Sequence, residues 1–576
     1  MSTLPIVRRP VSADCALSGD YHPVLTRVFA ARGVRDDGDL DISLEGLHRA
    51  DSLGGIDGAI DLLSSAVIAD QPILIVADFD ADGATSCAVA MRALAAMGAS
   101  RVSYIVPNRF EYGYGLTPPI VEMAAARDPR LLITVDNGIS SIEGVDCARR
   151  AGIDVLITDH HLPGERLPDA NAIVNPNVPG DDFPSKALAG VGVIFYVMLG
   201  LRRRLADEDW FRGTGRAEPN LGDLLDLVAL GTVADVVPLD NNNRRLVAQG
   251  LRRIRAGKMQ PGVAALLAVA GRDTGRVTST DLAFAVGPRL NAAGRLADMS
   301  LGIECLLNDD RSACDRAAVK LDELNRQRRT IEAEMKDQAL ALVDAMALDD
   351  AALPAGLCLH DPTWHQGVVG IVASRIKERY HRPVIAFAPT DGGELKGSGR
   401  SIGGIHMRDA LDAIAAKYPG LLSKFGGHAM AAGLTLESDA LDNFAAAFDE
   451  EVRRQLGADG LTASITTDGP LEPEEFTLDL AEELAYAAPW GQQFPEPMFD
   501  GRFDVLDKRV VGETHVRLQL RPQYGSSSIA AIAFGAVDEP WARCDAPIHA
   551  AFRLSVNDYR GTRSVQLIIE HAVAVD

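Results

Sequence analysis

Pro72-Ile73-Leu74-Ile75-Val76-Ala77-Asp78-Phe79-Asp80-Ala81-Asp82-Gly83 is the stretch whose reading decides the fold. Its first half is an unbroken apolar run of strand length, as expected of a strand buried on both faces. Ala84-Thr85-Ser86-Cys87-Ala88-Val89-Ala90-Met91-Arg92-Ala93-Leu94 follows and is rich in good helix formers. Three carboxylates therefore stand where a strand ends and a helix begins, the place where open α/β sheets build their sites. If the extended conformation persists through the motif, Asp78, Asp80 and Asp82 share one face, with neighbours roughly 6.6 Å apart. Like charges that close do not all ionise without compensation, and one or two divalent cations are the usual compensation. A calcium loop of the EF-hand type is disfavoured, because its twelfth position needs Glu, where this chain has Val89, and its flanking elements are helices, where a strand precedes this motif.

From residue 70 onward the pattern alternates. Strands are predicted at Ile73–Ala77, Val102–Val106, Leu131–Val135, Val155–Thr158 and Ala172–Val174, and helices at Thr85–Met97, Pro119–Ala126 and Ile142–Ala151. This β-α alternation predicts a parallel, doubly wound sheet. Two further strands run into chemistry: Leu131–Val135 into Asp136-Asn137-Gly138, and Val155–Thr158 into Asp159-His160-His161. Either alone is weak, since an Asp after a strand is often only a helix cap. Three such arrivals at one sheet edge point to a site. Gly231-Thr232-Val233-Ala234-Asp235-Val236-Val237-Pro238 adds a carboxylate in an apolar setting, where it needs a partner.

At 576 residues the chain is too long for one core. A net charge of −23 argues against coating nucleic acid by bulk charge and confines any such contact to local patches. No apolar run approaches the ~20 residues of a membrane span, and the N-terminal residues lack a signal-peptide apolar stretch. The seven cysteines are scattered and form no C-x-x-C pair. A reducing cytoplasm is the expected location, and no membrane partner is expected.

The first 60 residues read as a helical lead-in, with Val24–Phe29 as an amphipathic piece. Residues 300–348 carry a long helical pattern with Leu321, Leu324, Ile331, Met335 and Leu342 as an apolar stripe and Arg326, Arg328 and Arg329 between them. A second α/β unit follows. Its strands are predicted at Leu357–His360 and Val384–Ala388, its helices at Val369–Tyr380, Met407–Lys417 and Ala440–Gln455, and glycine-rich turns lie around Ser398, Arg400 and Gly427. Such turns can bring backbone N–H groups to an anion. The last segment changes to period two: Val516, Leu518 and Leu520 alternate with Arg517, Gln519 and Arg521, and Phe552, Leu554 and Val556 with Arg553, Ser555 and Asn557. That pattern reads as an antiparallel sheet.

Asp78–Gly83, Val135-Asp136-Asn137-Gly138, Asp159-His160-His161 and Val233-Ala234-Asp235 together resemble the four motifs of the DHH phosphoesterase superfamily, in order. The chain is most similar to the RecJ-type, single-strand-specific exonucleases within it. The resemblance extends through Pro107-Asn108-Arg109, Tyr112-Gly113-Tyr114-Gly115-Leu116, Gly287-Pro288-Arg289-Leu290-Asn291, Trp364-His365-Gln366-Gly367, Gly397-Ser398-Gly399-Arg400-Ser401, Gly426-Gly427-His428-Ala429 and Trp490–Pro497. It implies an α/β multidomain architecture: a lead-in over 1–60, a parallel doubly wound DHH catalytic domain over 61–300, a connector helix over 301–348, an α/β DHHA1 substrate-binding domain over 349–456, and an OB-like barrel that holds single strands over 457–576. Arg517, Arg521, Tyr524, Arg553, Tyr559 and Arg563 are its candidate contacts.

It further implies Mn²⁺ or Mg²⁺, two ions, held by Asp78, Asp80, Asp82, Asp136, His160 and Asp235, with Asp136 or a bridging water linking them. His161 is expected beside the metals, contacting the phosphate or assisting proton transfer, and Asp159 as the residue that orients a histidine. Substrate contacts are expected from Arg109, Tyr114, Arg289, Asn291, His365, Ser398, Arg400, Gly427 and His428. Many superfamily members have a ligating His where this chain has Val76, and Asp78 is the available substitute. The implied activity is metal-dependent 5′→3′ hydrolysis of single-stranded DNA to 5′-mononucleotides in DNA repair and recombination, with a single-strand DNA-binding protein and a RecQ-type helicase as partners. A phosphodiesterase for short oligonucleotides or cyclic dinucleotides shares the same core, as does a non-catalytic replication scaffold whose ligands have decayed.

Overall fold

A computed structural model describes residues 4–108, 111–112, 114–348, 353–390, 392–456, 464–559 and 561–575. The chain divides into two compact units. One comprises Met1–Asn291, Met299–Val319 and Ser464–Asp576, and the other Ala292–Asp298 and Lys320–Ala463.

The first unit is built on five parallel strands, β1 (Ile73–Ala77), β2 (Val102–Ile105), β3 (Leu131–Val135), β4 (Asp154–Thr158) and β5 (Ala172–Val174). Their spatial order is β2-β1-β3-β4-β5. The chain runs outward from β1 to β2, then crosses back to β3 on the other side. The crevice between the carboxyl ends of β1 and β3 is therefore the topological switch point. Every residue of β1 and β3 is buried, which accounts for their unbroken apolar sequences. Helices α1 (Ala81–Met97), α2 (Pro118–Ala125), α3 (Ile142–Arg150) and α4 (Gly190–Asp207) cover the two faces. Leu74, Val76, Leu132, Val155 and Ile157 pack beneath Ile120, Val121, Val145 and Ala148 of α2 and α3. Helix α5 (Leu225–Ala234) packs on α1 and α4 and is buried throughout its first nine residues.

The residues before the sheet are not purely helical. Helices span Pro23–Ala30 and Ile56–Ile68, with three short 3-10 turns between them. Ile6–Arg8 is a strand, pairing in parallel with Ile465–Thr467. It lacks helix periodicity, and its partner lies more than 450 residues away, so local pattern could not reveal it. The C-terminal segment closes into a five-stranded barrel. Val516, Leu518 and Leu520 point inward, as their alternation predicts. One of its pairings, Ile529–Ala533 with Thr562–Ala574, is parallel rather than antiparallel, and it closes the barrel.

In the second unit the connector pattern resolves into a helix, Ser300–Leu307, belonging to the first unit, and α6 (Arg311–Leu348), which enters the second. Asn308–Asp310 break the pattern, with Asn308 and Asp310 accepting from backbone N–H groups two residues ahead. Arg326 and Arg328 pair with Asp322 and Glu332 on their own helix. The sheet of this unit uses β6 (Leu357–His360), β7 (Val384–Pro389), β8 (Glu394–Arg400), β9 (Lys424–Gly427) and β10 (Ala431–Glu437) in the order β9-β10-β8-β7-β6. Gly397-Ser398-Gly399-Arg400 was expected as a turn but is the end of strand β8. Its glycines face inward, where a Cβ on Gly397 would lie 2.5 Å from Phe387 and one on Gly399 3.1 Å from Met407.

One buried ion pair ties the N-terminal helix to the segment leading into the barrel. Arg32 donates to both oxygens of Asp468 at 2.9 and 3.0 Å and to the Val28 and Pro495 carbonyls, with both side chains buried. Removing one member strands the other charge in the interior. Asp468→Ala should lower the unfolding free energy by about 3–5 kcal/mol, measured by urea denaturation. A loss below 1 kcal/mol would show that the pair does not anchor this seam.

Candidate metal centre and substrate sites

Strand β1 ends at Ala77, and the extended conformation does not continue through the motif. Asp80 is the N-cap of α1, accepting from the backbone N–H groups of Asp82 and Gly83 at 2.9 and 3.1 Å. Asp82 lies in the first helical turn. Helix geometry, not strand alternation, therefore sets the spacing of Asp80 and Asp82. Asp82 is buried and accepts from Gly190 and Val191 N–H at 2.7 and 2.9 Å, the two leading amides of α4. The positive end of α4 thus bears on this carboxylate.

Asp136 follows β3 in the left-handed region, φ 61°. Asn137 stitches the crevice behind it, donating to the carbonyls of Val76 and Val135 at 3.1 and 2.9 Å. A Cβ on Gly190 would lie 2.6 Å from the Asp136 side chain, so α4 begins this close only because its first residue is glycine. Asp235 caps the carboxyl end of α5, and the next residue, Val236, sits at φ 62°, a strained backbone for a β-branched residue. Val76 lies within the apolar cluster beneath α2 and α3.

His160 and His161 follow β4. His160 Nε2 lies 3.1 Å from Asp136, 3.4 Å from Asp235 and 3.9 Å from Asp82. Asp159 organises the pair: its Oδ1 accepts the backbone N–H groups of both histidines and faces His161 Nδ1 at 2.7 Å, while Oδ2 accepts the Ile139 N–H. Burial disfavours charge on His161, but the Asp159 carboxylate more than offsets this and holds its pKa at about 9. Burial also pushes Asp159 up, yet bonding to His161 and the nearby His160 leave it below its ordinary value. Tyr114 places its hydroxyl 3.2 Å from His161 Nδ1 and meets Phe79 edge to face at 6.2 Å.

The ligating atoms of Asp78, Asp80 and Asp136, of Asp82, His160 and Asp235, and of Asp136, His160 and His161 form three overlapping groups, each within 4.8 Å. Asp136 and His160 each belong to two. Burial and neighbouring carboxylates push Asp82 to about 7 and Asp235 to about 8, and Asp136 well above its ordinary value. Asp136 Oδ1 and His160 Nε2 are buried and, among the described residues, make no hydrogen bond. Orphaned donor atoms in a carboxylate-rich pocket with imidazole fit a hard divalent cation such as Mn²⁺ or Mg²⁺. His161, expected beside the metals but not as a ligand, stands within ligating distance of Asp136 and His160. Phe79 was overlooked; an aromatic residue between two motif aspartates was the available signal.

Asn291 accepts the Ala81 N–H at 2.8 Å, which fixes it against the Asp80 turn, and Arg289 donates to the Ala285 carbonyl one helical turn back. In the second unit, Arg400 Nη1 meets Ser398 Oγ at 3.1 Å, and a Cβ on Gly370 would touch both side chains. His365 Nδ1 accepts the Gly367 N–H at 3.0 Å just before the helix Val369–Tyr380. Gly427 ends β9 with φ 148°, and the His428 N–H returns to the Ala431 carbonyl. Arg109 and the Tyr559 side chain lie outside the described residues. On the barrel Arg521, Arg553 and Arg563 already face Asp504, Glu496 with Glu570, and Glu482, while Arg517 and Tyr524 are exposed. A cleft of about 610 Å³ beside the barrel is lined by Arg276, Arg553 and Arg563, but their carboxylate partners leave it a poor phosphate site.

Three family matches cover most of the chain: the DHH family N-terminal domain over residues 72–232, the DHHA1 domain over 352–454 and the RecJ OB domain over 467–571. The chain is 53% identical to the single-stranded-DNA-specific exonuclease RecJ of Dickeya dadantii (strain 3937) over 572 residues, 99% of both chains. It is 51% identical to that of Escherichia coli (strain K12) over 565 residues, 98% of both. The crystal structure of RecJ in complex with Mn²⁺ from Thermus thermophilus superposes with a TM-score of 0.80 at 28% identity, covering 100% of this chain and 80% of that one. A Mg²⁺ complex from the same organism gives 0.74 at 28% identity, over 100% of this chain and 79% of that one. No helix among the described residues is long and apolar enough to cross a membrane.

Crowded carboxylates make two outcomes testable by thermal or urea unfolding. Without divalent ions, Asp136→Asn should be at least as stable as the wild type, because one repelling charge is gone. Mn²⁺ at a hundred times its dissociation constant should stabilise the wild type by about 2.7 kcal/mol and Asp136→Asn far less. Equal stabilisation of both proteins would remove Asp136 from the metal centre.

Proposed function

The chain belongs to the RecJ family of single-stranded-DNA-specific exonucleases, and from that premise we propose that it degrades single-stranded DNA from the 5′ end, releasing 5′-mononucleotides. It is a metal-dependent exonuclease acting on single-stranded DNA. The observation that carries the mechanism is the convergence of Asp78, Asp80, Asp82, Asp136, His160 and Asp235 at the switch point of the parallel sheet. When bound there, Mn²⁺ or Mg²⁺ supplies Lewis-acid polarisation of the scissile phosphate and lowers the pKa of a coordinated water. Asp136 and His160 each belong to two groups of possible ligands, so each would be shared if two ions were held.

The chain's own residues do the rest. His161, kept protonated by Asp159, presents a positive donor toward the phosphate and can pass a proton to the leaving oxygen. Tyr114 packs edge to face on the same imidazole at 5.7 Å and restrains its tilt. Arg400, with Ser398, offers a charged fork for a terminal phosphate, and Arg289 and Asn291 position the scissile region beside the Asp80 turn. Phosphate contacts carry no base information, so cutting is independent of sequence. We assign catalysis to residues 61–300, connection to 301–348, substrate binding to 349–456 and single-strand holding to 457–576, with 1–60 as a lead-in. By family likeness, a single-strand DNA-binding protein and a RecQ-type helicase are its partners, the cytoplasm its location, and repair and recombination its setting.

The experiment is a degradation time course with Mn²⁺ or Mg²⁺ and a chelator control, on internally labelled single strands with one end blocked at a time, beside duplex. Only strands with a free 5′ end should disappear. Asp159→Asn should lower kcat roughly 10–100-fold. Arg400→Ala should chiefly erase the preference for a 5′-phosphate over a 5′-hydroxyl. Digestion of 5′-blocked strands would overturn the polarity, and an unchanged end preference would take Arg400 out of the pocket.

A further inference from the structure

Helix α4 supplies none of the candidate ligands, yet it begins against two of them. Its first residue, Gly190, donates its N–H to Asp82 Oδ2 at 2.7 Å, and the next, Val191, donates to Oδ1 at 2.9 Å. Gly190 also abuts Asp136, where a Cβ would lie 2.6 Å from the Asp136 Cβ and Oδ1 and 2.8 Å from its Cγ. Asp82 and Asp136 stand in different groups of possible ligands, Asp82 with His160 and Asp235, and Asp136 with Asp78 and Asp80 and with His160 and His161. One glycine therefore bears on both halves of the centre.

The backbone does not require glycine here. Gly190 is not in the left-handed region, and glycine in a helix costs about 1 kcal/mol relative to alanine. What excludes alanine is the Asp136 side chain, and its β-carbon cannot swing aside. That carbon is fixed to a backbone at φ 61°, whose N–H is bonded to the Thr158 carbonyl and whose turn is held by Asn137 on the Val76 and Val135 carbonyls. To bring a 2.6 Å approach back to an ordinary 3.4 Å contact, α4 has to retreat. The amides of Gly190 and Val191 then withdraw from Asp82. A second glycine repeats the pattern on α5. Gly231 is not left-handed either, and a Cβ there would run into Thr85 Oγ1 and lie 3.0 Å from Asp82 Oδ1.

We propose that Gly190 is the positioning residue that admits Mg²⁺ to this centre, by holding Asp82 and Asp136 at the close approach that Mg²⁺ needs and Mn²⁺ does not. The inference rests on Asp82 and Asp136 as ligands. Mg²⁺ is small, demands a near-ideal octahedron of oxygens at about 2.0–2.1 Å and gives up its waters reluctantly. A displaced carboxylate is therefore costly to it. Mn²⁺ is larger, and its half-filled d shell imposes no geometric preference, so it follows a displaced ligand at less cost. The size of residue 190 thus sets which of the two ions the same carboxylates favour.

The test measures metal binding by the full-length protein, with melting temperatures alongside. Electron paramagnetic resonance counts free Mn²⁺, and Mg²⁺ affinity is read from its competition with bound Mn²⁺. The variants are Gly190→Ala and, as control, Gly192→Ala. Gly192 lies on the same helix, and a Cβ there would meet only the flexible Leu188 side chain, nearest at 3.0 Å. Gly190→Ala should weaken Mg²⁺ about 10–100-fold, the range for residues that support a metal ligand, and Mn²⁺ by less than about tenfold. The ratio of kcat in Mn²⁺ to kcat in Mg²⁺ should rise with it. Gly192→Ala should leave both affinities at their wild-type values. A merely structural glycine would lower the melting temperature without moving the ratio of the two affinities. If Gly190→Ala needs an ion in order to fold, Mn²⁺ should restore its melting transition and Mg²⁺ should not. An unchanged ratio, or a variant that folds with neither ion, would overturn the proposal. If Asp136→Asn binds both ions as tightly as the wild type, the ligand assignment beneath it falls instead.

Discussion

Repulsion among buried carboxylates is the constraint on which the rest of this structure depends. Asp82, Asp136 and Asp235 surround the single imidazole of His160. Two like charges 4 Å apart repel by about 4 kcal/mol even at an effective dielectric of 20. The fold relieves only part of this. Asp82 leans on the leading amides of α4, and Asp159 is spent on the backbone amides of His160, His161 and Ile139 and on the His161 ring. Asp136 receives no comparable help, and its Oδ1 is left without a hydrogen bond among the described residues. A divalent cation completes what the polypeptide leaves undone, and a chain that needs no cation would have no reason to retain this crowding.

The sheet topology explains how carboxylates from distant sequence positions reach one point. The crossover from β2 to β3 opens the crevice between β1 and β3, and the turns after those two strands deliver Asp78, Asp80 and Asp136 into it. The chain accepts strained backbone to do so. Asp136 and Val236 both occupy the left-handed region, at a cost on the order of 1–3 kcal/mol each. Of the eight described non-glycine residues with positive φ, these two lie at a candidate ligand or immediately beside one. The buried β1–β3 ladder and the Asn137 bonds to two strand carbonyls hold the first in place.

The parallel sheet was legible in the sequence because its central strands are apolar on both faces and end in chemistry. Ile73–Ala77 and Leu131–Val135 are strands over the expected residues. The period-two segment likewise forms a barrel. Local pattern failed where long-range pairing or a cap decided the outcome. Ile6–Arg8 became a strand because Ile465–Thr467 offered it a partner. Asp80 turned the motif into a helix start because its carboxylate caps α1. Gly397 and Gly399 read as turn residues, yet they are glycine because Phe387 and Met407 fill the space a side chain would need. At the site, the residue types were readable. That α4 supplies the amides for Asp82 depended on tertiary approach and left no spacing to read.

The charge distribution separates this protein from one that grips nucleic acid by bulk attraction. Its net charge is −23, and most of the arginines singled out on the barrel already face carboxylates. Attraction for a phosphate backbone would therefore be confined to the cations that the fold leaves uncommitted. Such a surface has a kinetic advantage for an enzyme that must advance its substrate after each cut. Each phosphate contact adds affinity and salt dependence, and every contact must break before the strand can move by one nucleotide. A surface with a net charge of −23 and few uncommitted cations offers a strand few such contacts, which favours its advance after each cut.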